Sequence, residues 1–304
     1  MTVPAKYIDP KSIQRISRLD VRSRMVVEGF LTGQHKSPYN GFAIEFASHR
    51  EYVPGDEIKH IDWRVWSKTD RLYIKQYEEE TNLKCHILLD CSKSMRYGEK
   101  TEFPWSKFDF AATAVASLAF LLQQQQDAVG LTTFNTKIER QLPPSSHPSQ
   151  LKRLLHELEQ VQPDEQTDVG GLFLQLASQI RQRGIVVLVS DLFVDLPTLT
   201  AALKQFRLRR HEVIVFHVLH EDELTFPFED ITQFRGLEVD RQVQTNPRAL
   251  RKSYLEIFER YLQSVKKACA SQSIDYVQLS TAESLDAALA AYLTLRQKTR
   301  KRPK

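Results

Sequence analysis

The feature that most restricts the fold of this chain is a regular alternation of short apolar segments and helical patterns that begins at Leu83. The apolar segments are rich in Val, Ile and Leu, which predicts strands that are buried on both faces. Strands that alternate with helices form a mainly parallel sheet with helices on both faces, so the predicted fold class is α/β. The predicted strands are Leu83–Leu89, Ala128–Phe134, Ile185–Ser190, Val213–Leu219 and Ile274–Leu279. The predicted helices are Lys107–Gln125, Gln150–Gln160, Val169–Arg183, Leu196–Leu208, Pro247–Ala270 and Ala282–Arg296.

One further strand is predicted to run antiparallel to its neighbour. Lys137–Leu142 follows the strand Ala128–Phe134 after a very short connection, which favours a hairpin. We expect Pro143-Pro144 to end this strand, because proline cannot donate to a ladder of hydrogen bonds.

The segment in front of this body, residues 1–82, has a different character. Ile13–Leu31 reads as an arginine-rich helix that Gly33 would end. Ala43–Tyr52 and Leu72–Tyr77 alternate weakly and are predicted to be strands. We expect this helical and β-containing segment to pack on the body, because no linker rich in Gly or Ser separates the two.

The remaining chain divides into an α/β domain, residues 83–281, and a C-terminal part, residues 282–304. That last part is predicted to be a helix followed by a disordered basic tail, Arg296–Lys304.

Composition limits the class of protein. Hydrophobic residues make up 41% of the 304 residues and the net charge is +4, which is ordinary for a globular protein and too small to argue for nucleic acid. Three cysteines without a C-x-x-C pattern suit a reducing compartment. The longest apolar stretch, Phe110–Leu122, is shorter than the ~20 residues of a membrane helix and is predicted to be a central buried helix. With no apolar secretion signal at the N-terminus, we expect a cytoplasmic protein without a membrane span.

The strongest chemical pattern is Asp90-Cys91-Ser92-Lys93-Ser94, directly after the first predicted strand. Asp90, Ser92 and Ser94 occupy alternate positions, so their side chains point the same way in extended chain. Their hard oxygen atoms favour Mg²⁺, Ca²⁺ or Mn²⁺ over zinc or copper. Lys93 is the one basic residue that we expect beside this site.

Two later loops reach the same edge of the sheet. Asp191 ends the strand Ile185–Ser190, and Thr167 lies just before a predicted helix. Ligands of open parallel sheets bind beyond the carboxyl ends of the strands. Asp90, Ser92, Ser94, Thr167 and Asp191 therefore form a predicted site for Mg²⁺ or Mn²⁺. Taken singly, Ser92 could cap a turn, Thr167 could be a helix N-cap and Asp191 could be a turn residue.

These motifs resemble the metal-ion-dependent adhesion site of von Willebrand factor A domains, and the front segment narrows the resemblance to the bacterial family named domain of unknown function 58. The adhesion-site motifs are Leu89-Asp90-Cys91-Ser92-Lys93-Ser94-Met95, Thr167-Asp168 and Ser190-Asp191. The family motifs include Gly41-Phe42-Ala43-Ile44-Glu45-Phe46, Arg50-Glu51-Tyr52-Val53-Pro54-Gly55-Asp56, Ile61-Asp62-Trp63 and Glu223-Leu224-Thr225-Phe226-Pro227-Phe228.

The resemblance implies a von Willebrand A-like domain that acts beside a MoxR-type AAA+ ATPase, as a chaperone-like factor for an unknown client complex. It also implies that Ser92, Ser94 and Thr167 ligate the metal directly, with Asp90 and Asp191 in an outer shell. Many adhesion domains have glycine after the third-motif aspartate, whereas Leu192 stands there in this chain.

The alternatives to such a factor are an enzyme and a nucleic-acid-binding protein. A phosphatase of the haloacid-dehalogenase type needs a second Asp where Ser92 stands, and no P-loop motif occurs, so the prediction is a non-enzyme. The basic and aromatic residues of 63–75, with the basic tail, could bind nucleic acid by stacking and phosphate contacts. The alternative is that Trp63 and Trp66 anchor the segment to the body while the basic side chains stay solvated. We favour that alternative, because Glu78-Glu79-Glu80 lies alongside and the net charge is small.

Overall fold

A computed structural model describes residues 18–34, 49–51, 66, 72–75, 83–99, 105–163, 169–180, 182–237, 242–285 and 288–294. The strands are β1 (His49–Glu51), β2 (Tyr73–Lys75), β3 (Lys84–Asp90), β4 (Ala128–Phe134), β5 (Ile138–Ser145), β6 (Ile185–Ser190), β7 (Glu212–Leu219), β8 (Thr232–Arg235), β9 (Gln242–Thr245) and β10 (Asp275–Ser280). The helices are α1 (Leu19–Gln34), α2 (Lys107–Gln124), α3 (Ser149–Gln160), α4 (Val169–Gln179), α5 (Leu196–Leu208), α6 (Glu221–Thr225), α7 (Pro247–Ser271) and α8 (288–294).

The central sheet has six strands in the order β10-β7-β6-β3-β4-β5. All neighbouring pairs are parallel except β4 and β5, which are antiparallel. The chain first adds strands on one side of β3 and then returns to add β6, β7 and β10 on the other side. The order therefore reverses between β3 and β6, and the carboxyl ends of these two strands meet at the point where open α/β sheets bind ligands.

The core lies on both faces of this sheet, because successive side chains of β3 point to opposite faces. Ile87 and Leu89 pack in a cluster with α2, whereas Leu88 packs in a second cluster with α4 and α5. Helix α2 is buried on nearly its whole circumference, as the apolar stretch Phe110–Leu122 predicts. The α/β fold class with a mainly parallel sheet is confirmed, and no described helix is long and apolar enough to cross a membrane.

Strand β5 differs from the prediction, since it continues through Pro143-Pro144 to Ser145. It lies at the edge of the sheet, where proline is tolerated because one side of the strand has no partner strand. The ladder with β4 is irregular between Val129 and Leu131. Gln150 fills this gap, since its Nε2 donates to the carbonyl oxygens of Val129 and Pro143, at 2.9 Å each.

Helix α1, in the front segment, packs on α2. Val27 of α1 is fully buried in the cluster that contains α2, and the guanidinium of Arg22 lies 5.2 Å from the ring centre of Trp105. Strands β1 and β2 pair antiparallel. Helix α1 runs through Gly33 to Gln34, so it ends three residues beyond the predicted end at Leu31 and Gly33 is not its stop.

Candidate metal centre at the carboxyl ends of β3 and β6

Asp90, the last residue of β3, is the buried carboxylate of the candidate site. Its side chain is 1% exposed. One carboxylate oxygen accepts a 2.9 Å hydrogen bond from the backbone N–H of Ser92, and the other accepts one of 2.6 Å from the hydroxyl of Ser190. Burial, followed by the nearby charge of Asp191, raises the pKa of Asp90 to about 7. A buried carboxylate whose partners are neutral and whose pKa is raised is one that a cation would stabilise.

The two serines of the Asp-x-Ser-x-Ser loop lie together. The Oγ atoms of Ser92 and Ser94 are 3.0 Å apart, and both side chains are buried. Neighbouring ligands of an octahedral Mg²⁺ at ~2.1 Å are about 3.0 Å apart, so this pair fits one edge of such a coordination shell. The short turn of 3-10 helix, Lys93–Arg96, places Ser94 back beside Ser92. The residues present therefore fit a hard divalent cation.

Asp191, at the end of β6, carries an ion pair that the sequence did not predict. One of its carboxylate oxygens lies 2.7 Å from Nζ of Lys107, which lies 2.9 Å from a carboxylate oxygen of Glu223. Burial works to lower the pKa of Lys107, but the two carboxylates together hold it above its ordinary value. The expectation that Lys93 is the one basic residue beside the site is therefore wrong, because Lys107 reaches it from the first turn of α2.

Glu223 belongs to the motif Glu223-Leu224-Thr225-Phe226-Pro227-Phe228, which carried part of the family resemblance. It lies on α6, directly after β7, and its second carboxylate oxygen accepts a 2.8 Å hydrogen bond from the backbone N–H of His220. Burial raises its pKa even though Lys107 opposes the shift. Glu223 therefore ties the end of β7 to the residues that follow β6.

The loop after β6 has a left-handed residue. Leu192 has a φ of 54°, the region that favours glycine, and its side chain is only 1% exposed. A glycine would adopt this conformation without the strain that a Cβ adds. In this chain the backbone is held by Tyr261, whose hydroxyl donates to the carbonyl oxygen of Leu192, and by Ser190, whose Oγ accepts from its N–H at 2.9 Å.

The histidines and the cysteine near the site have structural contacts. Nε2 of His217 donates to the carbonyl oxygen of Asp191 at 2.8 Å, and burial lowers the pKa of this histidine to about 4. His220 caps α6, since its Nδ1 accepts from the backbone N–H of Asp222. Burial raises the pKa of the Cys91 thiol to about 12, and its Sγ lies 3.0 Å from the carbonyl oxygen of Phe134. None of the three is a reactive nucleophile or a free metal ligand in this arrangement.

Of the five predicted ligands, the structure brings together Asp90, Ser92 and Ser94 and places Asp191 at the neighbouring strand end. Thr167 lies outside the described residues, just before α4. Within the part of the chain that the structure describes, no three His, Cys, Asp or Glu side chains converge to hold a metal. A metal at this rim would therefore depend on serine hydroxyls, which sets it apart from a zinc site.

Several predictions fall outside the described residues. Trp63 and the basic residues Arg64, Lys68 and Arg71 are among them, as is the tail from 295 onward. Trp66 is described and remains 43% exposed, which is more than full anchoring of its ring would give.

The strand order, the reversal point between β3 and β6 and the Asp-x-Ser-x-Ser loop at that point define a von Willebrand A-like α/β domain. Residues 48–261 match the family described as "Protein of unknown function DUF58", and the chain belongs to this family. Uncharacterized proteins of Mycobacterium tuberculosis and Mycobacterium bovis are 25% identical to it over 222 residues, which cover 72% of this chain and 68% of those proteins.

Solved structures of low identity match parts of this chain. An aerotolerance-related membrane protein from Bacteroides fragilis is 20% identical with a TM-score of 0.49, covering 71% of this chain and 99% of that one. The conserved hypothetical protein BatB from Bacteroides thetaiotaomicron is 19% identical with a TM-score of 0.49, covering 71% and 99%. The VWA domain of SpRpn10 is 15% identical with a TM-score of 0.39, covering 68% and 93%.

Proposed function

We propose that this chain is a non-catalytic protein-interaction module that binds its partner through Mg²⁺ or Mn²⁺ at the carboxyl ends of β3 and β6. The proposed ligands, direct or through water, are Asp90, Ser92, Ser94, Thr167 and Asp191. The observation that carries the proposal is the pair of serine hydroxyls, 3.0 Å apart, beside a buried aspartate with neutral hydrogen-bond partners.

The chemistry of these residues favours recognition of a carboxylate. The hydroxyl oxygens of Ser92 and Ser94 are uncharged ligands, so they leave the positive charge of a bound cation largely uncompensated. When bound, the cation would supply a coordination position, held by exchangeable water, that an acidic side chain of another protein can occupy. Asp90 would orient the loop, because its carboxylate fixes both the Ser92 backbone and the Ser190 hydroxyl.

The partner that we propose is a MoxR-type AAA+ ATPase, with which the chain would act in the cytoplasm on the assembly or activation of an unknown client complex. The partner class is what the resemblance of the sequence to this family implies, and the family match over residues 48–261 supports that resemblance. A fold of this class suits a protein-interaction module whose contacts are made by the loops at one rim of the sheet.

Calorimetric titration with Mg²⁺ and Mn²⁺ tests the metal. We expect the wild-type chain to bind one ion and Asp90→Ala to lose this binding. Equal binding by both proteins, or no binding by the wild type, would remove the metal from the proposal.

Capture of the AAA+ ATPase tests the partner. We expect binding in Mg²⁺ to fall at least about tenfold in EDTA and in Ser92→Ala/Ser94→Ala, since both changes remove ligand interactions. A matched control is Ser264→Ala/Ser271→Ala, which deletes two hydroxyls that bond only to nearby carbonyls of α7. Capture that persists in EDTA while circular dichroism shows an intact fold would contradict metal-mediated binding.

A further inference from the structure

We propose that Lys107 is a second, permanently attached cation of this centre, and that its ammonium group, shared between Asp191 and Glu223, sets how tightly the centre holds a divalent ion. The inference rests on the metal dependence proposed above. It names two residues, Lys107 and Glu223, that lie outside the predicted ligand set.

The contacts of Lys107 are those of a buried ion pair with two carboxylates. The side chain is 1% exposed, and its Nζ lies 2.7 Å from Asp191 and 2.9 Å from Glu223. The same Nζ lies 4.7 Å from the centre of the Phe193 ring, which covers it with an aromatic face. A buried ammonium is stable only with such partners, so Lys107 and the two carboxylates form one electrostatic unit.

The position of Lys107 opposes the local preferences of its helix. It is the first residue of α2, where the helix dipole favours negative charge, and the rest of the helix is almost wholly apolar. A lysine there gains nothing from the helix and loses its hydration on burial. The carboxylates of Asp191 and Glu223, from two other strand ends, are the described groups that offset both costs. A residue that breaks local rules in this way is expected where function requires it.

Charge balance indicates what the unit does. When ionised, Asp90, Asp191 and Glu223 carry three negative charges, and Lys107 carries one positive charge. Two negative charges remain, which equals the charge of one divalent cation. Lys107 also holds an oxygen of Asp191, and its positive charge repels a divalent cation at the centre. The centre should therefore bind a divalent ion more weakly than its carboxylates alone would.

The test compares the wild type with two single variants that change the charge of the centre and with the double variant. Calorimetry on the full chain measures the Kd for Mn²⁺ and for Mg²⁺. Lys107→Met removes the positive charge at similar length and should tighten binding by at least about tenfold. Glu223→Gln removes one negative charge and should weaken binding by at least about threefold. The double variant restores the net charge and should lie between the two. The rise in Tm on adding metal should follow the same order.

Glu212→Gln is the matched control. Glu212 is the first residue of β7, at the opposite end of the strand from Glu223, and it pairs with Arg207 and Arg183. Its loss changes the net charge equally and should leave the Kd unchanged.

The outcomes separate this inference from the proposed function. Metal binding by the wild type with the same Kd in all variants would overturn the role of Lys107 and leave the metal-dependent module intact. No metal binding by the wild type would overturn both. If Lys107→Met does not fold, Glu223→Gln decides: a Kd equal to that of the wild type would overturn the inference, and a weaker one that Glu212→Gln does not share would support it.

Discussion

The loops after β3 and β6 each bury an aspartate at neighbouring strand ends, and their surroundings differ. Asp90 has only neutral hydrogen-bond partners, the N–H of Ser92 and the hydroxyl of Ser190. Asp191 has a full ion pair with Lys107. Burial costs both carboxylates their hydration, but only Asp191 is offset by a charge that the chain itself provides. The comparison shows that one fold can bury, side by side, a carboxylate with a charged partner and a carboxylate whose hydrogen-bond partners are neutral.

The largest expected effect is on stability without metal. Asp191→Asn should cost about 3 kcal/mol of unfolding free energy, because it removes one partner of the buried Lys107. Urea denaturation in EDTA measures this. Asp90→Asn is the matched variant and at pH 7 should be no less stable than the wild type, since the amide can keep neutral hydrogen bonds and carries no buried charge. Equal costs for the two variants would erase the contrast between the two loops.

The second prediction concerns pH in metal-free protein. The pKa of Asp90 is about 7 in the folded chain and 3.8 as an ordinary value. Because the folded pKa is raised, the contribution to stability is fully present below about pH 4 and is lost as pH rises through 7. Each pH unit over which the unfolded chain is ionised at Asp90 and the folded chain is not costs ~1.4 kcal/mol. The unfolding free energy of the wild type should therefore fall by about 2–3 kcal/mol between pH 5 and pH 7.

Urea midpoints in EDTA across this range check the prediction, and Asp90→Asn should remove most of the slope. A slope that survives in the variant would assign the titration to another group. Saturating Mg²⁺ should also flatten the profile of the wild type, because a bound cation stabilises the ionised carboxylate.

The smallest expected effect concerns the left-handed residue after Asp191. Leu192→Gly and Leu192→Ala both lose a buried side chain, but glycine should be more stable than alanine by about 1 kcal/mol, because a positive φ strains any residue with a Cβ. Leu188, buried in the regular strand β6, is the matched control, where alanine should be the more stable. Thermal denaturation of the four variants measures both differences. A Leu192→Ala variant that is more stable than Leu192→Gly would contradict a strained backbone at this position.

The body of the fold could be predicted from sequence because its signal is local. The observed ends equal the predicted ones for three elements, Ala128–Phe134, Ile185–Ser190 and Leu196–Leu208. Buried parallel strands and amphipathic helices each have a characteristic hydrophobic pattern in consecutive residues. The hairpin of β8 and β9 was missed. Its strands have four residues each, TQFR and QVQT, and their mostly polar composition does not resemble a buried strand.

The closeness of Asp90, Ser92 and Ser94 could be predicted for the same reason, and the ion pair beside them could not. Asp90, Ser92 and Ser94 lie within five residues. Lys107 meets Asp191 and Glu223 across 84 and 116 residues of chain. A lysine in the first turn of an apolar helix was a local signal that some carboxylate must come to it, but nothing local identifies which one.

The prolines of β5 have a consequence for how copies of this protein avoid one another. An unpaired edge strand is a template on which a second chain can add its own strand, which leads to aggregation. Pro143 and Pro144 remove two consecutive backbone N–H groups from this strand, and because successive N–H groups point to opposite sides, one of the two is missing from the free edge. This part of the edge resists growth by strand addition, so contacts with other proteins are directed away from it.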